Sequence, residues 1–222
     1  MRLARWDPRL TLALGVLALG CGGDGGGGTG PCTPGPATQL VKTNGDPAAW
    51  YLDNPLPTPL SVTARDANNC PVPGVVVNWA VASGGGGVNP GQSTTGTAGV
   101  ATTTDSIGST SPQKVSASFT GLQTPDTFTV SASTPPTSAA VSVSDNVFSP
   151  GSAVIQSGGT VTWTWAGQNI HNLTFGGGPT PQPANQGNQV TGTAQRTLTT
   201  VGKYSYTCTN HAGMNGTVRV VH

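Results

Sequence analysis

A cysteine, a histidine and a methionine follow one another at intervals of three residues near the C-terminus, as Cys208, His211 and Met214. Thiolate, imidazole and thioether groups are soft or borderline donors, and together they suit copper better than magnesium, calcium or manganese. A Cys-x-x-His pair also arises by chance, with a buried cysteine and a surface histidine as its ordinary explanation. The rest of the sequence must therefore supply a second imidazole and a scaffold that brings it to this loop.

The composition indicates a chain built from strands rather than helices. Only 8% of the 222 residues are charged and none is glutamate, whereas β-branched residues recur in short runs broken by glycine, proline, asparagine and aspartate. Runs of this kind predict an all-β protein made of sandwiches. The sequence contains no basic run or stripe, so we expect no binding of nucleic acid.

Residues 1–20 are typical of a secretory signal peptide. A basic segment with three arginines precedes an apolar run over 10–19, which is too short to span a bilayer as a permanent helix. The end of this run resembles a bacterial lipoprotein cleavage site, with Cys21 as the lipidated first residue of the mature chain. Ala18 stands where that family usually has leucine, and the alternative is an ordinary cleaved signal that leaves Cys21 as a free thiol.

The glycine-rich segment 21–35 is predicted to be a flexible tether that holds the folded part away from a membrane. These features predict a periplasmic or cell-surface protein that is anchored by lipid to a bacterial membrane. If Cys21 is lipidated and Cys208 is a metal ligand, Cys32 and Cys70 remain. We expect these two to form a disulfide, because disulfides persist in exported domains.

Residues 36–134 form a first predicted domain of short strands separated by turn-forming residues. Three stretches resemble bacterial immunoglobulin-like domains of the invasin/intimin type: 62–66, 71–79 and 94–101. The resemblance implies a spacer or adhesive module, and Trp79 is interpreted as a core residue. The segment 135–139 begins with two prolines and is predicted to be the linker, because proline cannot continue a sheet ladder.

Residues 140–222 form a second predicted domain, and its series of short strands is typical of a small Greek-key sandwich. Apolar residues alternate with polar ones at Val161, Trp163 and Trp165, which indicates a strand with one buried face. His171 follows this strand and precedes another. It is therefore expected at a strand end from which its imidazole can face the Cys208 loop.

This second domain resembles the cupredoxins, and its short Cys-x-x-His-x-x-Met loop is similar to that of the plastocyanin/amicyanin group. The matching stretches occur in the family order: 147–150, 158–163, 171–172, 202–208 and 214–218. The resemblance implies one type 1 (blue) copper per chain with three equatorial ligands and one axial ligand: His171, Cys208 and His211, then Met214. It also implies that Asn172 and Thr209 tie the strand of the first histidine to the ligand loop and orient the thiolate.

Two other kinds of metal site fit this sequence less well. Zinc accepts cysteine and histidine, but thioether groups are not among its usual protein ligands. A catalytic copper enzyme would need further imidazoles for its other centres, and the third and last histidine of the sequence is His222. We therefore expect a single electron-transfer site and no enzyme activity.

The sequence as a whole predicts a membrane-tethered protein that carries single electrons between redox proteins such as cytochromes or oxidases. By the family resemblance, these partners dock transiently near His211, where the sequence places few charges. One alternative is a periplasmic protein that captures or senses copper without an electron partner. Another is an adhesive surface protein in which the cupredoxin fold is only structural.

Overall fold

The structure is a computed structural model that describes residues 32–222. The predicted signal peptide, Cys21 and most of the predicted tether lie outside the described residues. The described residues form one compact unit. Residues 32–222 contain no helix that is long and apolar enough to cross a membrane.

Two sheets form the N-terminal sandwich. Its strands are β1 (Gln39–Asn44), β2 (Ala48–Tyr51), β3 (Leu60–Arg65), β4 (Val76–Ser83), β5 (Gly86–Asn89), β6 (Gln92–Thr94), β7 (Val100–Ile107), β8 (Gln113–Ser118) and β9 (Asp126–Ser133). One sheet has the strand order β1-β3-β7-β5, and the other has the order β2-β9-β8-β4-β6. Neighbouring strands are antiparallel, except that β2 and β9 are parallel.

A hydrophobic core fills the N-terminal sandwich. Along β7, every second residue from Ala101 to Ile107 is buried, as expected for a strand with one face on a core. Trp79 is buried, packs against Phe128 with ring centroids 5.9 Å apart, and donates its indole N–H to Ser93 Oγ at 2.9 Å. The interpretation of Trp79 as a core residue is therefore confirmed.

Cys32 and Cys70 form a disulfide next to the start of this sandwich, with their Cα atoms 5.7 Å apart. That separation is usual for a disulfide, and the pairing is the one that the sequence predicted. Beside it, the Asp66 carboxylate accepts backbone N–H groups from Gly35, Cys70 and Asn68. These bonds, that from Gly35 above all, lower the pKa of Asp66. They attach the leading segment to the first sheet.

Two further sheets form the C-terminal sandwich. Its strands are β10 (Ser138–Ser144), β11 (Val147–Ser149), β12 (Ser152–Gln156), β13 (Gly159–Trp165), β14 (His171–Gly177), β15 (Gln186–Gln189), β16 (Gly192–Leu198), β17 (Gly202–Thr207) and β18 (Asn215–Val221). The sheets have the strand orders β11-β10-β13-β16 and β12-β18-β17-β14-β15. The pairs β10/β13 and β12/β18 are parallel, whereas the other neighbours are antiparallel.

Interlocked aromatic rings fill the core of the C-terminal sandwich. Trp163 and Tyr206 meet edge to face with ring centroids 5.4 Å apart, and Phe148 and Phe175 pack against the same tyrosine. Edge-to-face pairs of this kind add to the free energy gained from burial. Cys208 belongs to the same buried cluster. The chain therefore enters the ligand loop directly from a packed core.

The all-β class and the two-sandwich architecture predicted from the sequence are confirmed. Five of the strands are not predicted from the sequence: β2, β5, β6, β11 and β15. Each is three or four residues long and lies at the edge of its sheet. Alternation over so few residues leaves no usable pattern. The segment 134–137 joins β9 to β10, whose first residue, Ser138, falls inside the predicted linker 135–139.

The carboxyl group of Asp105 is buried inside the N-terminal sandwich. Asp105 lies on the core face of β7, fully buried, and accepts the side-chain N–H of buried Gln113 at 3.0 Å. Asp105 Oδ2 and Gln113 Oε1 have no hydrogen-bond partner among residues 32–222. Burial raises the pKa of Asp105 to about 6, because the charged carboxylate is poorly solvated there.

This burial predicts an unusual pH dependence of stability. Native Asp105 binds a proton below a pKa of about 6, whereas the unfolded chain does so only near 3.8. The free energy of unfolding should therefore rise as the pH falls through this window, by at most about 3 kcal/mol. Asp105→Asn removes the titrating group and keeps an oxygen that can accept the Gln113 side-chain N–H.

The measurement is urea unfolding of the wild type and of Asp105→Asn at about pH 7 and about pH 5, where the linkage acts. We expect the wild type to gain stability relative to the variant at the lower pH. Equal pH dependence in the two proteins would contradict the assignment of a neutral, buried Asp105.

Candidate metal centre

The residues predicted as ligands lie where three neighbouring strands begin or end. In one sheet, β17 lies between β14 and β18, antiparallel to both. His171 is the first residue of β14, Cys208 directly follows β17, and Met214 directly precedes β18. Antiparallel pairing places these three points of the chain at the same end of the strands. The topology therefore brings the imidazole of His171 to a loop 37 positions further along the chain.

Three donor atoms converge at this end of the sheet. Cys208 Sγ lies 3.8 Å from His171 Nδ1 and 3.5 Å from His211 Nδ1. All three atoms lie within 4.8 Å of one another. With bonds of about 2.0 Å to nitrogen and about 2.3 Å to sulfur, donors spread about 120° around one ion lie roughly 3.7 Å apart. The observed spacing fits a single metal ion in a trigonal set of one sulfur and two nitrogens.

Burial differs strongly among the four predicted ligands. His171 is 0% exposed, Met214 2% and Cys208 3%, whereas His211 is half-buried. The thiol and the first imidazole are thus shielded from water, and the second imidazole reaches the surface. Met214 is the last residue of the ligand loop and belongs to the same apolar cluster as Cys208.

Backbone hydrogen bonds close the ligand loop. The N–H of Cys208 donates to the carbonyl of Met214 at 3.0 Å, and the N–H of Met214 donates to the carbonyl of His211 at 3.3 Å. Gly213 has a φ of 81°, a left-handed conformation that residues with a Cβ rarely adopt. This one glycine allows the chain to turn back into β18 directly after His211.

Asn172 and Thr209 connect the strand of the first histidine to the loop. The Asn172 side chain donates to Thr209 Oγ1 at 2.7 Å and accepts the backbone N–H of Thr209 at 2.9 Å. The backbone N–H of Asn172 points at Cys208 Sγ, 3.5 Å away. Asn188 on β15 accepts N–H groups from both Asn172 and Asn210. These bonds fix the thiol relative to the first imidazole.

Asp145 lies behind His171. One oxygen of its carboxylate is 3.3 Å from His171 Nε2 and accepts the backbone N–H groups of Gln168 and Asn169 at 2.9 and 3.0 Å. The pKa of Asp145 is lowered from its ordinary value, first by the hydrogen bond from Asn169 and then by those from His171 and Gln168. Trp165 donates its indole N–H to the His171 carbonyl at 3.1 Å. The buried histidine is thus held through both its ring and its backbone.

Comparison with known proteins agrees with this geometry. Residues 137–221 match the model of the copper-binding proteins of the plastocyanin/azurin family. This domain is a cupredoxin. Its cofactor is copper, and His171, Cys208 and His211 form the group of donors that fits the ion. The match does not extend to the N-terminal sandwich, whose resemblance to immunoglobulin-like domains stays a prediction.

Solved structures of cupredoxins also resemble part of the chain. A purple cupredoxin from Nitrosopumilus maritimus is 25% identical, with a TM-score of 0.34, and the match covers 37% of this chain and 98% of that one. The oxidised plastocyanin of Dryopteris crassirhizoma is 26% identical, with a TM-score of 0.31, over 36% of this chain and 98% of that one. No curated protein matches the sequence. The cupredoxin assignment rests on the family match and on the ligand geometry.

Three features of this site were not predicted from the sequence: Asp145, Trp165 as a partner of His171, and Asn188. Trp165 was recognised only as part of an alternating strand, and the Asp145-Asn146 dipeptide is an ordinary turn signal. Asn188 lies on one of the short edge strands that the sequence did not predict. His222 is exposed and does not belong to the donor group that the structure describes.

The bonds of Asn172 generate a prediction. In Asn172→Ala, the Thr209 N–H and hydroxyl lose their partner, so the ligand loop loses two of its hydrogen bonds to β14. We expect copper affinity to fall about 10- to 100-fold, the usual effect of losing a residue that orients a metal ligand. Competition titration with a copper chelator measures the change.

Gln195→Ala is the matched control, because Gln195 is an exposed amide on β16 whose side chain, among residues 32–222, bonds only to Thr162. The control should bind copper as the wild type does. An unchanged affinity in Asn172→Ala would show that these hydrogen bonds do not shape the site.

Proposed function

We propose that this protein is a type 1 copper protein that carries single electrons between redox partners while tethered to a membrane by a lipid. The observation that carries the proposal is the buried thiol of Cys208 with the Nδ1 atoms of His171 and His211 at 3.8 and 3.5 Å. One thiolate, two imidazoles and a neighbouring thioether are the donor set of blue-copper electron-transfer sites.

Copper bound at this site supplies a one-electron couple between Cu(II) and Cu(I). The residues of the chain keep the donors in place through that change. Cys208 is fixed by its backbone bond to Met214, and His171 by its backbone bond from Trp165. Because these bonds restrain both donors, we expect little free energy to be spent on rearrangement when the electron passes. Burial of Cys208 also keeps water away from the sulfur.

His211 is the proposed exit for the electron, since it is the only half-buried member of the donor group that the structure describes. Ala212 and Gly213, which follow it in the chain, are exposed. His211 also lines an open depression, together with Ile170, which is 52% exposed, and four carboxamides: Gln168, Asn169, Asn188 and Asn210. This lining carries no formal charge. We therefore expect brief encounters with cytochromes or oxidases, without strong electrostatic steering.

The proposed location follows from the N-terminal sequence and the cysteines. Residues 1–20 and Cys21 support export and lipidation, and 21–35 supports a flexible tether. The disulfide between Cys32 and Cys70 is compatible with an oxidising compartment. Together they favour the periplasm or the cell surface of a bacterium. We propose electron transfer rather than enzymatic turnover, because the described residues offer one compact donor group.

Cys208 supplies the first test of the proposed function. In Cys208→Ser the thiolate is lost, so the intense thiolate-to-copper absorption of the Cu(II) protein should disappear and copper affinity should fall. Visible absorption during copper titration measures both. Trp79→Phe, in the core of the N-terminal sandwich, is the control and should keep the band. A band that survives in Cys208→Ser would mean that this thiol is not the ligand.

Met214 supplies a second test. Leucine replaces methionine with little change in volume, but it removes the thioether. Because an axial thioether donates weakly to the metal and tunes its potential, Met214→Leu should keep the absorption band and raise the reduction potential. Cyclic voltammetry of the two proteins measures the difference. An identical potential would remove Met214 from the ligand set.

Electron exchange separates a shuttle from a copper-capture protein. The reduced protein is mixed with an oxidised cytochrome c in a stopped-flow instrument at low and high salt. We expect second-order oxidation with a weak dependence on ionic strength, because the residues that line the depression beside His211 carry no formal charge. Retention of Cu(I) against a chelator with no electron exchange would favour capture instead.

A further inference from the structure

Asp145 occupies the tight turn between β10 and β11. Its neighbour Asn146 has a φ of 63°, the left-handed conformation that asparagine tolerates. The turn places the Asp145 carboxylate over the segment before β14, where Oδ1 accepts two backbone N–H groups, from Gln168 and Asn169. These two backbone hydrogen bonds hold the carboxylate in position independently of His171.

The two nitrogens of the His171 ring have different neighbours. Nδ1 lies 3.8 Å from Cys208 Sγ, within the donor group, and Nε2 lies 3.3 Å from Asp145 Oδ1. An ionised carboxylate only accepts hydrogen bonds. The proton of the His171 ring therefore belongs on Nε2, and Nδ1 keeps a free lone pair that points toward the metal position.

The backbone at residue 167 leaves room for this arrangement. A Cβ added to Gly167 would overlap both Oδ1 and the backbone nitrogen of Asp145. Any residue larger than glycine would push the turn away from His171. Close packing at Gly167 is thus a second, independent feature that keeps the carboxylate against the buried imidazole.

We propose that Asp145 is a positioning residue of the copper site, which fixes the proton of His171 on Nε2 and uses its negative charge to favour Cu(II) over Cu(I). The inference rests on the proposed function only in taking His171 as a copper ligand. A carboxylate behind a metal-bound histidine makes the imidazole a stronger donor. A stronger donor and a nearby negative charge both stabilise the more highly charged ion, so the reduction potential is lowered.

Two substitutions separate the charge from the hydrogen bond. Asp145→Asn keeps an oxygen that accepts the Nε2–H and backbone N–H groups but removes the charge, whereas Asp145→Ala removes both. We expect Asp145→Asn to weaken Cu(II) binding relative to Cu(I) about tenfold, the lower end of such effects, which raises the reduction potential by about 59 mV. Asp53→Asn is the matched control, because Asp53 is exposed in the N-terminal sandwich, and its potential should not change.

The measurements are the reduction potentials of the copper-loaded full-length proteins and the ¹⁵N NMR shifts of the His171 ring in the copper-free proteins. The wild type and Asp145→Asn should have the proton on Nε2, and Asp145→Ala should shift it partly to Nδ1. A potential that is unchanged in Asp145→Asn, or an unchanged tautomer in Asp145→Ala, would overturn the inference. Wild-type protein that lacks the blue absorption band would instead contradict the proposed function, whatever the NMR result.

Discussion

The copper site depends on the register of β17 between β14 and β18. Thr207, the last residue of β17, pairs with Thr174 on one side and with Asn215 on the other. This pairing fixes the position, along the strand direction, at which Cys208 leaves the sheet. Because side chains alternate along a strand, a slip of one residue would turn the core face of β17 outward and carry the thiol away from His171. The aromatic core, with Tyr206 fully buried on the same strand, resists such a slip.

Hydrogen bonds within the protein hold the donors from behind. Asn172 bonds to Thr209 in the ligand loop, and Asp145 faces the ring of His171. None of these bonds uses the atoms that face the metal position. The donors therefore lose their conformational entropy when the chain folds, before any ion binds. A site ordered in this way suits a change of one electron, because neither oxidation state has to reorganise the chain.

Much of this site could be predicted from the sequence because its residues are close together in the chain or lie at strand ends. The residues from Cys208 to Met214 form one short stretch of the chain, and the alternating strand before His171 predicted that this histidine lies at a strand end. Asp145 could not be predicted in the same way, because its contact with His171 depends on how a turn folds over a segment more than twenty residues later. The short edge strands were missed because three or four residues carry no period.

The most direct test of the account is stoichiometric addition of Cu(II) to the unmodified protein, followed by visible and electron paramagnetic resonance spectra. The account predicts one bound ion per chain, an intense visible absorption from thiolate-to-copper charge transfer, and the narrow copper hyperfine splitting of a strongly covalent Cu–S bond. Weak absorption with the wide splitting of copper bound by nitrogen and oxygen alone would contradict it. Cys208, His171 and His211 would then be neighbours at the end of a sandwich and not the ligands of one ion.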